Sequence, residues 1–251
     1  MGRSRVALIF RPASADLKDM RTENMALVRG WADTRSTLRR WSVRPGRALL
    51  PWSLGSLAIA VLLLAVTWLI ATNTTPDPGQ VYFPGLFFTS TLGDFGFILY
   101  RNGLVLALHG FACVAGFMAG SSLPQVAEGY SGVWRWIHEK AGPLAIGFVV
   151  AATLFSLTTQ AWALGSAASS LSAKLHISPG LLILGLAPHA VPELFALFLP
   201  LAAWSIASAR GEWNQLLAAT FTTTAVAIPL IVMAAAIETW VTPSLLLRIS
   251  G

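Results

Sequence analysis

The sequence predicts an all-α protein, a polytopic membrane helix bundle of five transmembrane helices, and three observations support this prediction. Of its 251 residues, 55% are hydrophobic and only 11% are charged, and the mean hydropathy is +0.65. A soluble domain typically carries about 25% charged residues. Five long apolar stretches and a strongly basic N-terminal flank complete the pattern. Soluble domains, disordered chains and disulfide scaffolds are excluded, the last because Cys113 is the only cysteine.

The first 47 residues form a basic cytoplasmic or interfacial segment that precedes a membrane domain of residues 48–251. They contain 11 of the 17 lysines and arginines. A basic flank of this kind fixes the orientation of a membrane protein, and no binding to nucleic acid is expected. Residues 14–41 are predicted to form an amphipathic helix with Trp31 and Trp41 on its apolar side. Such a helix lies either on an anionic lipid leaflet or against the protein's own cytoplasmic base.

A membrane span needs about 20 predominantly apolar residues, and five stretches meet this requirement. The predicted spans cover residues 48–72, 102–122, 142–165, 179–208 and 214–242. Residues 81–100, before the second span, are aromatic but contain Gly85, Gly93, Asp94 and Gly96. Because irregular backbone at membrane depth must be shielded by protein, this stretch is predicted to be an interfacial or re-entrant segment.

The distribution of positive charge predicts the orientation of the chain. With the N-terminus in the cytoplasm, 14 lysines and arginines lie on the inner side, against Arg101, Lys174 and Arg248 on the outer side. The positive-inside rule therefore favours a cytoplasmic N-terminus, an external C-terminus and an odd number of spans.

Ionisable side chains within spans are costly and are candidates for function by default. A polar intramembrane cluster is predicted from four of them and one amide: His109, His189, Glu193, Glu238 and Asn102. His189 and Glu193 are four residues apart and share one helix face. At a rise of 1.5 Å per residue, His189 lies ~15 Å, His109 ~10 Å and Glu238 ~6 Å from the outer edge. A shared cavity in the outer half of the bilayer is therefore expected.

Pro188 and Pro192 flank His189, and each proline removes a helical hydrogen bond, so a kink or break is predicted in the fourth span. Three interpretations of the cluster remain open: a hydrogen-bonded network that joins helices, a polar pocket for a peptide, lipid or proton, and a metal or catalytic centre. His189 and Glu193 are the candidate ligands if a metal is bound. The HExxH and GxSxG patterns are absent from the sequence, so no catalytic residue is assigned and no cofactor is expected.

Residues 90–245 resemble the stage II sporulation protein M family of bacterial membrane proteins. The matching pieces are Pro188-His189-Ala190-Val191-Pro192-Glu193-Leu194, Ala235-Ala236-Ile237-Glu238, Thr242-Pro243 and Asn102-Gly103. The sequence departs from the family in having Ala190 where a glycine is usual. The resemblance implies a five-span inner-membrane protein with its N-terminus in the cytoplasm.

The namesake of this family is a scaffold that holds cell-wall-degrading partners at the engulfing septum of sporulating bacteria. Some relatives are encoded beside circular-bacteriocin genes, where a role in maturation or export is suspected. By this resemblance we expect a multi-pass protein of the bacterial plasma membrane, a scaffold or assembly factor in envelope remodelling or peptide export rather than an enzyme.

The expected partners are the lipid bilayer, other membrane or envelope proteins and a second copy of the chain. The alternative function is an intramembrane enzyme or transporter subunit that uses the His/Glu cluster on a peptide, lipid or proton.

Overall fold

The computed structural model describes residues 26–77, 79, 83, 85–122 and 131–251, and every regular element in these ranges is helical, as predicted. The α-helices are α1 Ala26–Val43, α2 Pro45–Asn73, α3 Leu92–Phe117, α4 Gly132–Lys174, α5 Pro179–Ala209, α6 Leu216–Ala236 and α7 Thr242–Ser250. Two short π-helices, Met118–Ser122 and Ile237–Val241, continue α3 and join α6 to α7. A 3₁₀ turn, Trp213–Gln215, precedes α6.

Five segments within the described residues are long and apolar enough to cross a membrane, which confirms the predicted number of candidate spans. They are Pro45–Asn73, Leu92–Gly120, Ile146–Lys174, Pro179–Ala209 and Trp213–Ser250. Large apolar side chains on their outer faces are exposed, and Phe148 and Phe155 reach 75% and 73% exposure. This exposure is unfavourable in water, but lipid tails are as apolar as the side chains themselves. The helices therefore support a multi-pass membrane protein.

The second span begins at Leu92 and not near residue 102, because a capping box starts the helix earlier. Thr91 Oγ1 accepts a hydrogen bond from the Asp94 N–H, and Asp94 Oδ2 accepts one from the Thr91 N–H at 2.8 Å. Asp94 therefore satisfies the first helical turn and does not interrupt the helix. The predicted interfacial or re-entrant segment is wrong for residues 92–100, and residues 81, 82 and 84 lie outside the described residues.

The fourth span, α5, is one continuous helix despite its internal prolines at Pro188, Pro192 and Pro200, so of the predicted kink or break the break is wrong. Other helices pack around it, and most of its second half is buried. Ser56 on α2 donates a hydrogen bond of 2.6 Å to the Phe195 carbonyl of α5. Contacts of this kind stabilise a helix that three prolines would otherwise weaken.

The N-terminal helix α1 packs against the beginning of α6 and the end of α3. A Cβ atom added at Gly30 would lie 2.6 Å from Leu217 Cδ1, which shows how closely these elements approach. Trp31 is 69% exposed, whereas the Trp41 ring contacts that of Trp52 edge-on at 5.1 Å. The earlier part of the predicted amphipathic helix, residues 14–25, lies outside the described residues, and a contact of α1 with lipid stays a prediction.

Candidate functional site

A cavity of about 370 Å³ lies between the five spanning helices. Aliphatic side chains from α2, α4 and α5 form most of its wall. The polar lining consists of Thr67, Arg101, Asn102, His189, Glu193 and Glu238. A mostly apolar wall with a few convergent polar groups, in a volume of a few hundred Å³, is typical of binding sites for small molecules.

Three ionisable side chains converge in this cavity. A ring nitrogen of His189 and one carboxylate oxygen each of Glu193 and Glu238 all lie within 4.8 Å of one another. His189 and Glu193 come from one face of α5, as their i, i+4 spacing predicts. Glu238 comes from the fifth span, so the packing of two helices is needed to complete the cluster.

A π-helical turn, Ile237–Val241, carries Glu238 into the cavity. In an α-helix the Thr239 carbonyl would accept from the backbone four residues later, but Pro243 has no N–H to donate. The Ser90 hydroxyl takes that place and donates to the Thr239 carbonyl at 2.7 Å. Single π-turns inside α-helices occur frequently at functional sites, and this one holds an acidic side chain of the cluster.

The ring of His189 is held by a hydrogen bond to Thr242. Its Nδ1 lies 2.8 Å from Thr242 Oγ1, and the two side chains are 6% and 0% exposed. This bond fixes the ring orientation and leaves Nε2 as the other ring nitrogen for the cavity. Thr242 was not singled out as a site residue in the sequence, because its spacing from His189 gives no sign that the two meet.

Two polar side chains in the cavity wall, Thr67 and Asn102, are only 4% and 9% exposed. Thr67 Oγ1 has no hydrogen-bond partner within the described part of the chain. The Asn102 amide lies within hydrogen-bonding reach of the Glu193 carboxylate, although its Nδ2 makes no hydrogen bond of good geometry. Leaving a buried polar group unsatisfied costs about 1–3 kcal/mol, and native proteins contain few such groups. The Thr67 hydroxyl is therefore available to a polar group in the cavity.

The charge of the cluster is not balanced by direct ion pairs. Arg101 is close enough to act electrostatically on both Glu193 and Glu238. Its side chain is exposed at the rim, however, with the guanidinium 5.9 Å from the Phe97 ring. Among the residues that the structure describes, no lysine or arginine forms a salt bridge with either carboxylate. Two carboxylates in a low-dielectric cavity therefore require another counter-charge, either protons or a bound cation.

His109, the fifth member of the predicted cluster, does not line this cavity. Its Nδ1 lies 2.7 Å from the Leu197 carbonyl, and its ring centroid is 5.9 Å from that of Phe198. One turn later, Cys113 donates to the Pro200 carbonyl at 3.3 Å. Both side chains join α3 to α5 and serve the packing of the bundle.

The helix boundaries explain which residues meet. Depth is measured along each helix from the same end of the bundle. Asn102 lies ~15 Å from the start of α3, and His189 and Glu193 lie ~15 Å and ~21 Å from the start of α5. Glu238 lies ~18 Å from Ser250, the last residue of α7. His109 lies ~26 Å from the start of α3, well below the others. The cluster therefore lies in the half of the helices nearer this end, with His189 at the predicted ~15 Å, and Glu238 is much deeper than the predicted ~6 Å.

Comparison of this chain with protein-family models, with curated proteins and with solved structures finds no match in any of the three. The cavity and its side chains are therefore the observations from which a function is argued.

Proposed function

We propose that this protein acts through its intramembrane cavity, as an intramembrane enzyme or transporter subunit that binds the polar part of a membrane-soluble substrate. The observation that carries this proposal is the convergence of His189, Glu193 and Glu238 in a cavity whose other walls are largely apolar. Ionisable groups at this depth are expensive, and in membrane proteins they mark the paths of substrates, ions or protons.

The rim of the cavity provides a route for such a substrate. Arg101 of α3 and Leu164 of α4 both line the cavity and are exposed, Leu164 by 44%. The two helices make few contacts with each other, so the cavity opens between them towards the surrounding lipid. An amphipathic molecule enters there with its apolar part against the aliphatic wall and its polar part at the carboxylates.

Dicyclohexylcarbodiimide, an apolar reagent that modifies carboxyl groups within membranes, tests this access. In purified protein treated with EDTA, we expect mass spectrometry to find adducts on Glu193 or Glu238 and none on Glu212, at the end of the bundle. Leu164→Trp narrows the rim and is expected to slow the labelling. Leu154→Trp makes the same change at a 61% exposed position of the same helix and is expected to have no effect. Absence of both adducts from folded protein, or equal labelling of the two tryptophan variants, would contradict the proposal.

A scaffold or assembly role in envelope remodelling or peptide export, implied by the resemblance to the stage II sporulation protein M family, is the second candidate. The third span favours it, because only 6% of its apolar segment is buried, against 28–39% for the other four. Such a helix leaves a long face for other membrane or envelope proteins or for a second copy of the chain. The two candidates predict opposite effects on stability when the glutamates of the His/Glu cluster are replaced. A scaffold uses the cluster only to join its helices, so replacement would lower its stability, whereas replacement in a binding site would raise it.

For localisation we propose the bacterial plasma membrane, with the N-terminus in the cytoplasm and the C-terminus outside. The support is a second cavity, of about 340 Å³, whose lining at one end of the bundle includes Arg40, Arg44, Arg47 and Arg210. Positive charge concentrated at one end is typical of the cytoplasmic side.

Cysteine labelling tests this orientation in a Cys113→Ser background. A membrane-impermeant maleimide is expected to label the Gly251→Cys variant in intact cells and the Ser36→Cys variant only after permeabilisation. Labelling of the Ser36→Cys variant in intact cells would reverse the assignment.

A further inference from the structure

We propose that His189, Glu193 and Glu238 bind a divalent transition-metal ion, with zinc as the best fit. This inference rests on the proposed function, because it names the ion held by the same intramembrane cavity. Three arguments support it: the positions of the donor atoms, the charge of the cluster, and a buried hydroxyl in the same cavity that lacks a partner among the described residues.

The donor atoms are close to the arrangement that a metal ion requires. All three lie within 4.8 Å of one another. In a tetrahedral zinc site with bonds of 2.0–2.2 Å, donor atoms are ~3.4 Å apart. Each glutamate has three rotatable side-chain bonds, and we expect rotation about them to close this difference when the ion binds.

The ring of His189 is fixed at its second nitrogen, as is usual for a metal-binding histidine. Metal-binding histidines usually donate the N–H of their other ring nitrogen to a fixed acceptor, which sets the tautomer and the ring direction. Thr242 Oγ1, fully buried and 2.8 Å from His189 Nδ1, is able to accept this bond. With Nδ1–H donating to Thr242, the lone pair of Nε2 is left for the ion.

The charge of the site matches a divalent ion. Two carboxylates carry two negative charges when both are ionised, and the described residues offer neither of them a salt bridge. A single divalent cation bound between the two carboxylates neutralises both negative charges. Buried charges in proteins are stabilised by pairing of this kind or by metal coordination.

Thr67 Oγ1 provides an independent observation. Three protein ligands leave the fourth position of a zinc ion open to water or to an oxygen of the substrate. The hydroxyl of Thr67 lines the same cavity, is 4% exposed and lacks a partner within the described part of the chain, and the amide of Asn102 lies beside the Glu193 carboxylate. Both are able to donate a hydrogen bond to an oxygen bound at that position.

The donor types select among metals. One imidazole and two carboxylates suit zinc, whereas magnesium and calcium prefer sites made only of oxygen atoms. Soft ions such as Cu(I) prefer thiolates, and Cys113 is engaged with the Pro200 carbonyl elsewhere in the bundle.

The test uses the full chain, purified in detergent, stripped with EDTA, incubated with Zn²⁺ and passed through gel filtration before elemental analysis. We expect about one zinc ion per wild-type chain, in a tetrahedral site of nitrogen and oxygen ligands at ~2.0–2.1 Å by X-ray absorption. His189→Ala and the double variant Glu193→Gln/Glu238→Gln are expected to lose the ion. Glu212→Gln, at the end of the bundle, is the matched control and is expected to retain it.

Thr242→Val keeps all three ligands and tests the orienting bond. Its zinc affinity is expected to fall about 10- to 100-fold, the usual effect of losing a partner behind a metal ligand. This variant keeps the proposal testable if a ligand variant does not fold.

The outcomes separate this proposal from the proposed function. Wild-type protein with no more zinc than the folded double variant would overturn the metal site, and so would a first shell containing sulfur. Carbodiimide adducts on Glu193 or Glu238 without any zinc binding would overturn the metal site alone. Loss of both the adducts and the zinc in folded protein would overturn the metal site and the proposed function together.

Discussion

Gly165→Leu is expected to detach the third span from the bundle and to remove most of the folded protein. A Cβ atom at residue 165 would lie 2.5 Å from Ile70 Cγ2 and 3.1 Å from the backbone oxygen of Thr67. The Thr67 oxygen belongs to α2 and cannot rotate away as a side chain can. Overpacking of this kind typically costs about 1–3 kcal/mol. The third span has little other burial to offset that cost, since only 6% of its apolar segment is buried.

The measurement is the monodisperse fraction in gel filtration of the solubilised protein, together with its thermal unfolding. Gly147→Leu makes the same change on the same helix, where a Cβ atom would meet nothing within 4 Å. That control is expected to behave as wild type. Equal yields from the two leucine variants would show that α4 does not need close contact with α2.

Glu193→Met/Glu238→Met is expected to stabilise the protein in the absence of metal. The change replaces two partly buried carboxylates in the intramembrane cavity by apolar side chains of similar length. Replacement of buried charges in this way is often stabilising, by about 1–4 kcal/mol. Residues kept for binding or catalysis commonly reduce stability, so a gain is the result that the proposed intramembrane site predicts.

Thermal unfolding of the EDTA-treated protein in detergent measures this effect. Glu212→Met, at the end of the bundle, is the matched control and is expected to change stability by less than about 0.5 kcal/mol. A clear loss of stability in the double variant, with the control unchanged, would indicate that the glutamates hold the helices together. The scaffold role would then be the better account of the cluster.

The error in one helix boundary shows how local chemistry affects the prediction of a site. The polarity of Asp94 predicts that it lies outside a span, whereas it caps the helix that begins at Leu92. Moving this start by ten residues changes the depth of His109 from ~10 Å to ~26 Å. Asn102 and His109 are seven residues apart on one face of α3, and only the upper of the two reaches the cavity.

The continuity of α5 has a different cause. Each proline removes a hydrogen bond, and the sequence therefore predicts a kink or break near Pro188 and Pro192. Neighbouring helices pack around this helix, and Ser56 donates to its Phe195 carbonyl. Rules based on neighbouring residues cannot include the energy of these contacts, because the contacts come from residues far away in the chain.

The amino-acid sequence by itself determined the membrane class, the number of candidate spans and the shared face of His189 and Glu193. These follow from composition, the length of apolar stretches and helix periodicity, all of which are local properties. Only the tertiary structure decided that Glu238 completes the cluster, that Thr242 lies against the histidine ring, and that Thr67 lines the same cavity without a partner among the described residues. The reason is that helices apolar on all sides carry little information about which face meets which neighbour. Their rotation and depth are set by close packing and by caps and turns at their ends.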